Sequence, residues 1–266
     1  MTDDVSLLAI QKRLTTLKLA GIKKTLEIRL EEVRSDNLAY TEFLSLLLED
    51  EINNRQDNKR KGLFRAAHFP FEKGIEDFDF TFQPSIKKRE LLELATGNFL
   101  TTTTNILFIG QPGTGKTHLS VALGIRALAL GKQVLFTTLW DMLDILNQSR
   151  ADYSYAKKIQ GYLKPDLLIL DELGYKNLSP QSVQDLFEII ARRYEKKSTI
   201  ITSNRSVPEW DKIFLDKTLT TALLDRLLHH CHVIEIKGDS YRMRQKEGSV
   251  NKQESLQFTL LKNLPR

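Results

Sequence analysis

A single cysteine, Cys231, is all that the 266 residues contain. A disulfide framework is therefore excluded, and a reducing compartment is the expectation. No apolar stretch approaches the ~20 residues that a membrane span needs. The opening Met-Thr-Asp-Asp-Val lacks the basic start and apolar run of a secretory signal, so a soluble, cytoplasmic protein that does not enter membranes is expected. Internal repeats are missing, and the only low-complexity run, Thr101–Thr104, reads as a polar turn. A large charge excess is missing too: 39 Lys and Arg against 34 Asp and Glu leave +5. That mildly favours an acidic partner such as nucleic acid.

What is present suffices for one full-sized core and a small appendage, at 41% hydrophobic residues. Residues 1–68 read as a helical N-terminal domain. Within it Tyr40, Phe43, Leu44, Leu47, Leu48 and Ile52 recur at helical spacing, a stripe expected to pack locally or against a partner. Residues 69–84, with Phe69-Pro-Phe and Asp77-Phe-Asp-Phe80, read as a linker with aromatic anchors. From residue 85 to 246 short apolar strands alternate with helices. The strands are expected at Asn105–Ile109, Gln133–Thr137, Asp166–Leu170, Thr199–Thr202 and Val233–Ile236. The helices are expected at Lys116–Leu130, Trp140–Gln148, Ser182–Tyr194 and Ala222–His229. Such alternation implies an α/β fold with a parallel sheet covered on both faces. Residues 247–266 form a polar tail without strong pattern, expected to be partly disordered.

Gly110-Gln-Pro-Gly-Thr-Gly-Lys-Thr117 follows an apolar strand and opens a helix, the context that a phosphate-binding P-loop requires. Gly110, Gly113 and Gly115 allow the backbone to curl so that N–H groups, with those of Thr114 and His118 at the helix start, face phosphate oxygens. Lys116 is placed to reach the β- and γ-phosphates of ATP, and the Thr117 hydroxyl to ligate Mg²⁺. A second motif, Leu167-Leu-Ile-Leu-Asp-Glu172, delivers two carboxylates at a strand's C-terminal end, where parallel sheets bind ligands. Asp171 suits Mg²⁺ and Glu172 suits the general base that polarises water. A third strand ends at Asn204, placed to bond the attacking water or the γ-phosphate. The Asn-Lys-x-Asp that reads guanine does not occur.

Together Gly110–Thr117, Asp171-Glu172 and Thr202-Ser-Asn204 resemble the AAA+ ATPases of the helicase-loader clade. Ala66-Ala-His-Phe-Pro70, Glu76-Asp-Phe-Asp-Phe80, Ala222-Leu-Leu-Asp-Arg-Leu-Leu-His-His230 and Gly238-Asp-Ser-Tyr-Arg242 make the chain more similar to the IstB family, the ATP-binding helpers of bacterial insertion sequences. The resemblance implies an AAA+ core with strand order 5-1-4-3-2 and a small helical N-terminal domain. It also implies oligomerisation on duplex DNA and cooperation with a transposase, IstA. By position Arg226 corresponds to an arginine finger acting in a neighbour's site. Arg242 corresponds to a second sensor, with Arg244 as its substitute.

The tract Arg55, Lys59, Arg60, Lys61 and Arg65 reads either as a solvated helix face or as a DNA contact; the resemblance favours DNA at Lys59, Arg60, Lys61 and Arg65. Lys157 and Lys158 are the runner-up surface, whereas Arg192, Arg193, Lys196 and Lys197 are explained by the helix dipole. None offers a base-reading motif, so backbone contacts are expected. His229-His-Cys-His232 is not expected to bind zinc, because contiguous ligands diverge from a helix end. Two rival functions remain: a DnaC-like helicase loader, and a small-metabolite kinase, which the Asp-Glu pair disfavours.

Overall fold

The computed structural model describes residues 6–36, 38–214 and 217–244; the tail 247–266 lies outside the described residues. The chain divides into two compact units, Met1–Leu63 and Phe64–Arg266.

The first unit is helical. α1 (Leu7–Thr16) starts at Ser6, whose hydroxyl accepts the Ala9 N–H and so satisfies one of the orphan donors of the first turn. α2 (Ala20–Asp36) and α3 (Tyr40–Ala67) follow. Leu14, Ile22, Leu26 and Leu47 form the buried core, with Phe43 packed against it. α2 approaches α3 closely at Gly21, where an added Cβ would lie 2.6 Å from the Glu51 Cα. There the Glu51 carboxylate accepts the N–H groups of Gly21 and Ile22 at 2.7 and 3.3 Å, at the positive end of α2. Its pairing with Arg55, and these backbone bonds, hold its carboxyl below the usual range. The expected apolar stripe is used only on one edge. Phe43 and Leu47 pack, whereas Tyr40, Leu44, Leu48 and Ile52 stay exposed. Each i+4 step turns the helix by roughly 40°, so six such residues span too wide an arc for one contact.

In the second unit, α4 (Lys88–Leu94) and α5 (Asn98–Thr101) lead into the sheet. Then come β1 (Asn105–Gly110), α6 (Lys116–Ala129), β2 (Val134–Thr138), α7 (Leu139–Ala151), α8 (Tyr155–Leu163) and β3 (Leu167–Leu173). α9 (Pro180–Arg193), β4 (Ser198–Ser203), a 3-10 turn (Val207–Lys212), α10 (Lys217–Leu228) and β5 (Cys231–Ile236) complete it. The strands are parallel in the order β2-β3-β4-β1-β5, the expected 5-1-4-3-2 order read from the other edge. β1, β3 and β4 are almost continuously buried, because helices cover both faces. Leu107, Leu168, Leu170 and Ile201 meet Met142, Leu186, Ile189 and Leu223 of α7, α9 and α10 in one core, while α6 packs on β1 to β4.

All five strands and four long helices lie where periodicity put them, with ends shifted by up to five residues. α9 begins two residues early because Ser179 caps it and Pro180 fits its first turn. α4, α5 and α8 were not expected; at 7, 4 and 9 residues they are too short for a 3.6-residue period to stand out. The helix-dipole reading of Arg193 is corrected. Its guanidinium is buried and donates to the carbonyls of Tyr162, Pro165, Asp166 and Ser198 and to the Thr199 hydroxyl. Burial lowers its pKa to about 10. It ties α8, α9, β3 and β4 together from inside, a role that only tertiary structure reveals.

Candidate nucleotide site

The site lies at the C-terminal ends of the strands. Between β1 and α6 the chain must reverse around a space for an anion, and glycine supplies the dihedrals. Gly113 and Gly115 have φ of 83° and 101°, in the left-handed region that side chains disfavour. There is no room for side chains either. A Cβ on Gly113 would lie 2.1 Å from the Ser240 hydroxyl, and one on Gly115 2.5 Å from the Phe78 ring. Lys116 bends back over the loop and donates to the Gly110 and Gln111 carbonyls at 2.7 and 2.9 Å. Burial pushes its pKa down, and the field of Asp171 partly opposes this.

Opposite the loop, the β3–β4 ladder is irregular between Leu170 and Leu173, a local break of the kind that re-aims side chains. Asp171 and Glu172 occupy that break. Asp171 is buried, and both its carboxylate oxygens receive the Thr117 hydroxyl, at 3.1 and 3.0 Å. Glu172 has φ of 67°, unusual for a residue with a side chain. Its N–H, having left the ladder, is taken by the Thr202 hydroxyl at 3.0 Å, and the same hydroxyl donates to Asp171. Thr202 thus holds the Asp171 carboxylate and the Glu172 backbone from β4.

These groups face a cavity of about 550 Å³ whose wall includes Thr114, Lys116, Thr117, Asp171, Glu172 and Arg242. The segment 69–84, expected as a linker, contributes Pro70, Phe71, Phe78 and Phe82 to the same wall. Sequence reasoning missed these as site residues, although the density of aromatics was visible. His118 orients them: its Nε2–H donates to the Gly74 carbonyl at 2.8 Å, and its ring meets Phe71 and Phe78 edge-on. From beyond β5 the Tyr241 N–H donates to the Gly113 carbonyl at 3.0 Å, which seats Arg242 beside the loop. Arg244 turns instead toward Asp79 and lies over the Phe82 ring.

Three expected residues are not on this wall, the first being Gly110, whose carbonyl instead accepts the Lys116 ammonium. Asn204 lies beside Gly174, its Oδ1 buried without a hydrogen-bond partner. Arg226 sits on α10, donates to the Ala222 carbonyl at 3.0 Å and stacks over the Phe187 ring, without an ion pair to Asp225. Lys59, Arg60 and Lys61 are exposed on α3, and Arg65 is exposed in the second unit. Lys157 and Lys158 are exposed on α8.

The family follows from this chain as a whole: residues 12–249 match the model of the IstB-like ATP binding proteins. The chain belongs to the IstB-like ATP-binding protein family. It is 44% identical over 223 residues to the ATP-binding protein named for insertion sequence IS5376 of Geobacillus stearothermophilus, covering 84% of this chain and 89% of that one. It is 38% identical over 233 residues to that of IS21 of Pseudomonas aeruginosa, covering 88% of each. Among solved structures, this IstB-like protein resembles AMPPCP-bound DnaA from Aquifex aeolicus with a TM-score of 0.55 at 22% identity. That match covers 70% of this chain and only 56% of DnaA. DnaI gives a TM-score of 0.53 at 21% identity over 62% of this chain and 92% of DnaI. At such identities the likeness establishes the AAA+ fold alone.

Among the described residues, no helix is long and apolar enough to cross a membrane.

Proposed function

We propose that this IstB-like protein hydrolyses ATP to ADP and phosphate, in oligomers assembled on duplex DNA, and that it serves a transposase in the choice or activation of target DNA. The observation that carries the hydrolytic reading is the meeting of Thr117, Asp171 and Glu172 at one cavity wall. The loop N–H groups and Lys116 hold the phosphates, and the Phe71 and Phe78 rings offer the base an apolar surface. Thr117 and Asp171 form an all-oxygen donor set that fits a hard cation. They would hold Mg²⁺, which supplies charge neutralisation between the phosphates. Glu172 accepts the proton of the attacking water. Asn204, whose buried Oδ1 has no partner beside Gly174, is the residue assigned to orient that water, and Arg242 lies against the phosphates.

Arg226 does not line its own subunit's cavity and completes a neighbour's instead, which makes hydrolysis depend on assembly. On α3, Lys59, Arg60 and Lys61 are consecutive and fan out by about 100° each. They therefore suit contacts to a wrapped phosphate backbone better than a single groove contact. Arg65, in the second unit, is an exposed cation assigned to DNA by itself.

Phosphate release tests the chemistry. The proposal expects free phosphate, stimulated by duplex DNA; transfer of phosphate to a bound acceptor would overturn it in favour of a kinase. The DnaC-like reading is separated by binding in the presence of ATP: preference for single strands over duplex would favour a loader.

A further inference from the structure

The far end of β5 from the nucleotide holds a second cluster that the ATP chemistry does not use. β5 pairs with β1 from Cys231↔Asn105 to Ile236↔Gly110. Its C-terminal end therefore meets the phosphate loop, and the residues before Cys231 lie at the opposite edge of the sheet. There the turn between α10 and β5 carries His229 and His230, whose rings lie 4.1 Å apart. Helix-end geometry alone suggested that adjacent histidines diverge. The structure corrects this: α10 ends just before them, and both face a third residue from another element. That residue is Glu195, in the turn between α9 and β4, with φ of 54°. Its Oε1 lies 4.0 Å from His229 Nδ1 and 3.7 Å from His230 Nε2. All three ligand atoms fall within 4.8 Å of one another.

We propose that Glu195, His229 and His230 form a binding site for a divalent transition-metal ion of the zinc type. Ligand atoms around a tetrahedral zinc, at bonds of about 2.0–2.1 Å, stand roughly 3.3–3.4 Å apart. Closing the two Glu–His gaps to that spacing needs shifts of under about 1 Å. The three side chains are about half exposed and can make them by small rotations. Two imidazoles with one carboxylate select Zn²⁺, Co²⁺ or Ni²⁺ over Mg²⁺ and Ca²⁺, which prefer oxygen donors. Three protein ligands leave a fourth position for water. The Tyr194 hydroxyl now bonds His229 Nδ1 at 2.7 Å and also reaches the Glu195 carboxylate. When metal takes Nδ1, the hydroxyl keeps the carboxylate as its acceptor and orients that ligand from outside. Bound metal would pin the α9–β4 turn to the end of α10, one turn from Arg226.

The test is titration of the full-length, untagged protein with Zn²⁺, followed by calorimetry, and with Co²⁺, followed by its visible absorption. The site predicts one ion per chain, retained in millimolar Mg²⁺, and a tetrahedral Co²⁺ spectrum. His229→Ala/His230→Ala should remove the ion. Glu195→Gln, which preserves shape, should weaken binding about tenfold or more. ATP binding should be unchanged in each, which reports that the variants are folded. Absence of saturable binding, or unchanged stoichiometry in the double variant, would overturn the site and leave a hydrogen-bonded His–Glu cluster.

Discussion

Thr202→Val isolates the hydroxyl that holds the Asp171 carboxylate and the Glu172 backbone. Valine keeps the shape of threonine in a position that is 1% exposed, and removes only the hydroxyl. Two interactions go with it: the bond donated to Asp171 and the bond accepted from the Glu172 N–H. A hydrogen bond to a charged group is worth about 1.5–3 kcal/mol, and a buried N–H left alone costs about 1–3 kcal/mol. Glu172 also carries left-handed strain of the order of 1–3 kcal/mol. Without its anchor, relaxing to negative φ becomes the cheaper state. That relaxation moves the carboxylate, and a displacement near 1 Å costs roughly 10²-fold in rate. Single-turnover and steady-state phosphate release should therefore show kcat down about 10²-fold, with fluorescent-nucleotide affinity nearly unchanged. Thr202→Ser, which retains the hydroxyl, should recover most of the rate. Wild-type kcat in Thr202→Val, or equal damage in Thr202→Ser, would refute the reasoning.

Gly113→Ala places a methyl group against Ser240 at a φ of 83°; nucleotide affinity should fall tenfold or so, and unchanged affinity in a nucleotide titration would count against the loop geometry. Arg193→Met leaves the carbonyls of Tyr162, Pro165, Asp166 and Ser198 without their donor. At about 1–3 kcal/mol for each buried acceptor, urea denaturation should reveal a loss of several kcal/mol, and a loss below about 1 kcal/mol would contradict the internal-tie reading. Replacing Lys59, Arg60 and Lys61 together by Gln should weaken duplex binding and reduce the log–log salt slope by about 0.9 for each DNA phosphate no longer neutralised. An unchanged slope would remove α3 from the DNA surface.

Much of this molecule was legible in its sequence because the informative residues are local. Gly110–Thr117 encodes a strand–loop–helix by itself, and Leu167–Glu172 encodes a buried strand ending in carboxylates. The sheet order could be borrowed from the resemblance, since parallel strands need crossovers of one hand. What stayed hidden depends on distant parts of the chain. Thr202 was legible as part of the Thr202-Ser-Asn204 motif but not as an anchor, because its partners lie on the neighbouring strand in the β3 irregularity. Arg193 looked like a helix-terminal charge until burial and its carbonyl partners were visible. Phe71 and Phe78 looked like linker anchors, yet they wall the cavity through His118. Glu195 carries no sequence signal toward His229 and His230, being more than thirty residues away.

The central claim is that one subunit's ATP site is completed by its neighbour, and mixing two inactive variants tests it most directly. Lys116→Ala lacks a working phosphate loop but keeps Arg226; Arg226→Ala keeps the loop but lacks the finger. Loss of Arg226 removes only a bond to Ala222 and its stacking on Phe187, so the fold and ATP binding should survive. Each variant alone should lose about 10³-fold or more in kcat. Mixed in equal amounts on duplex DNA, half the sites have a working loop and half of those face a working finger. About a quarter of wild-type activity should then return. Mixtures as inactive as their components, or Arg226→Ala with wild-type turnover, would contradict a site shared between subunits.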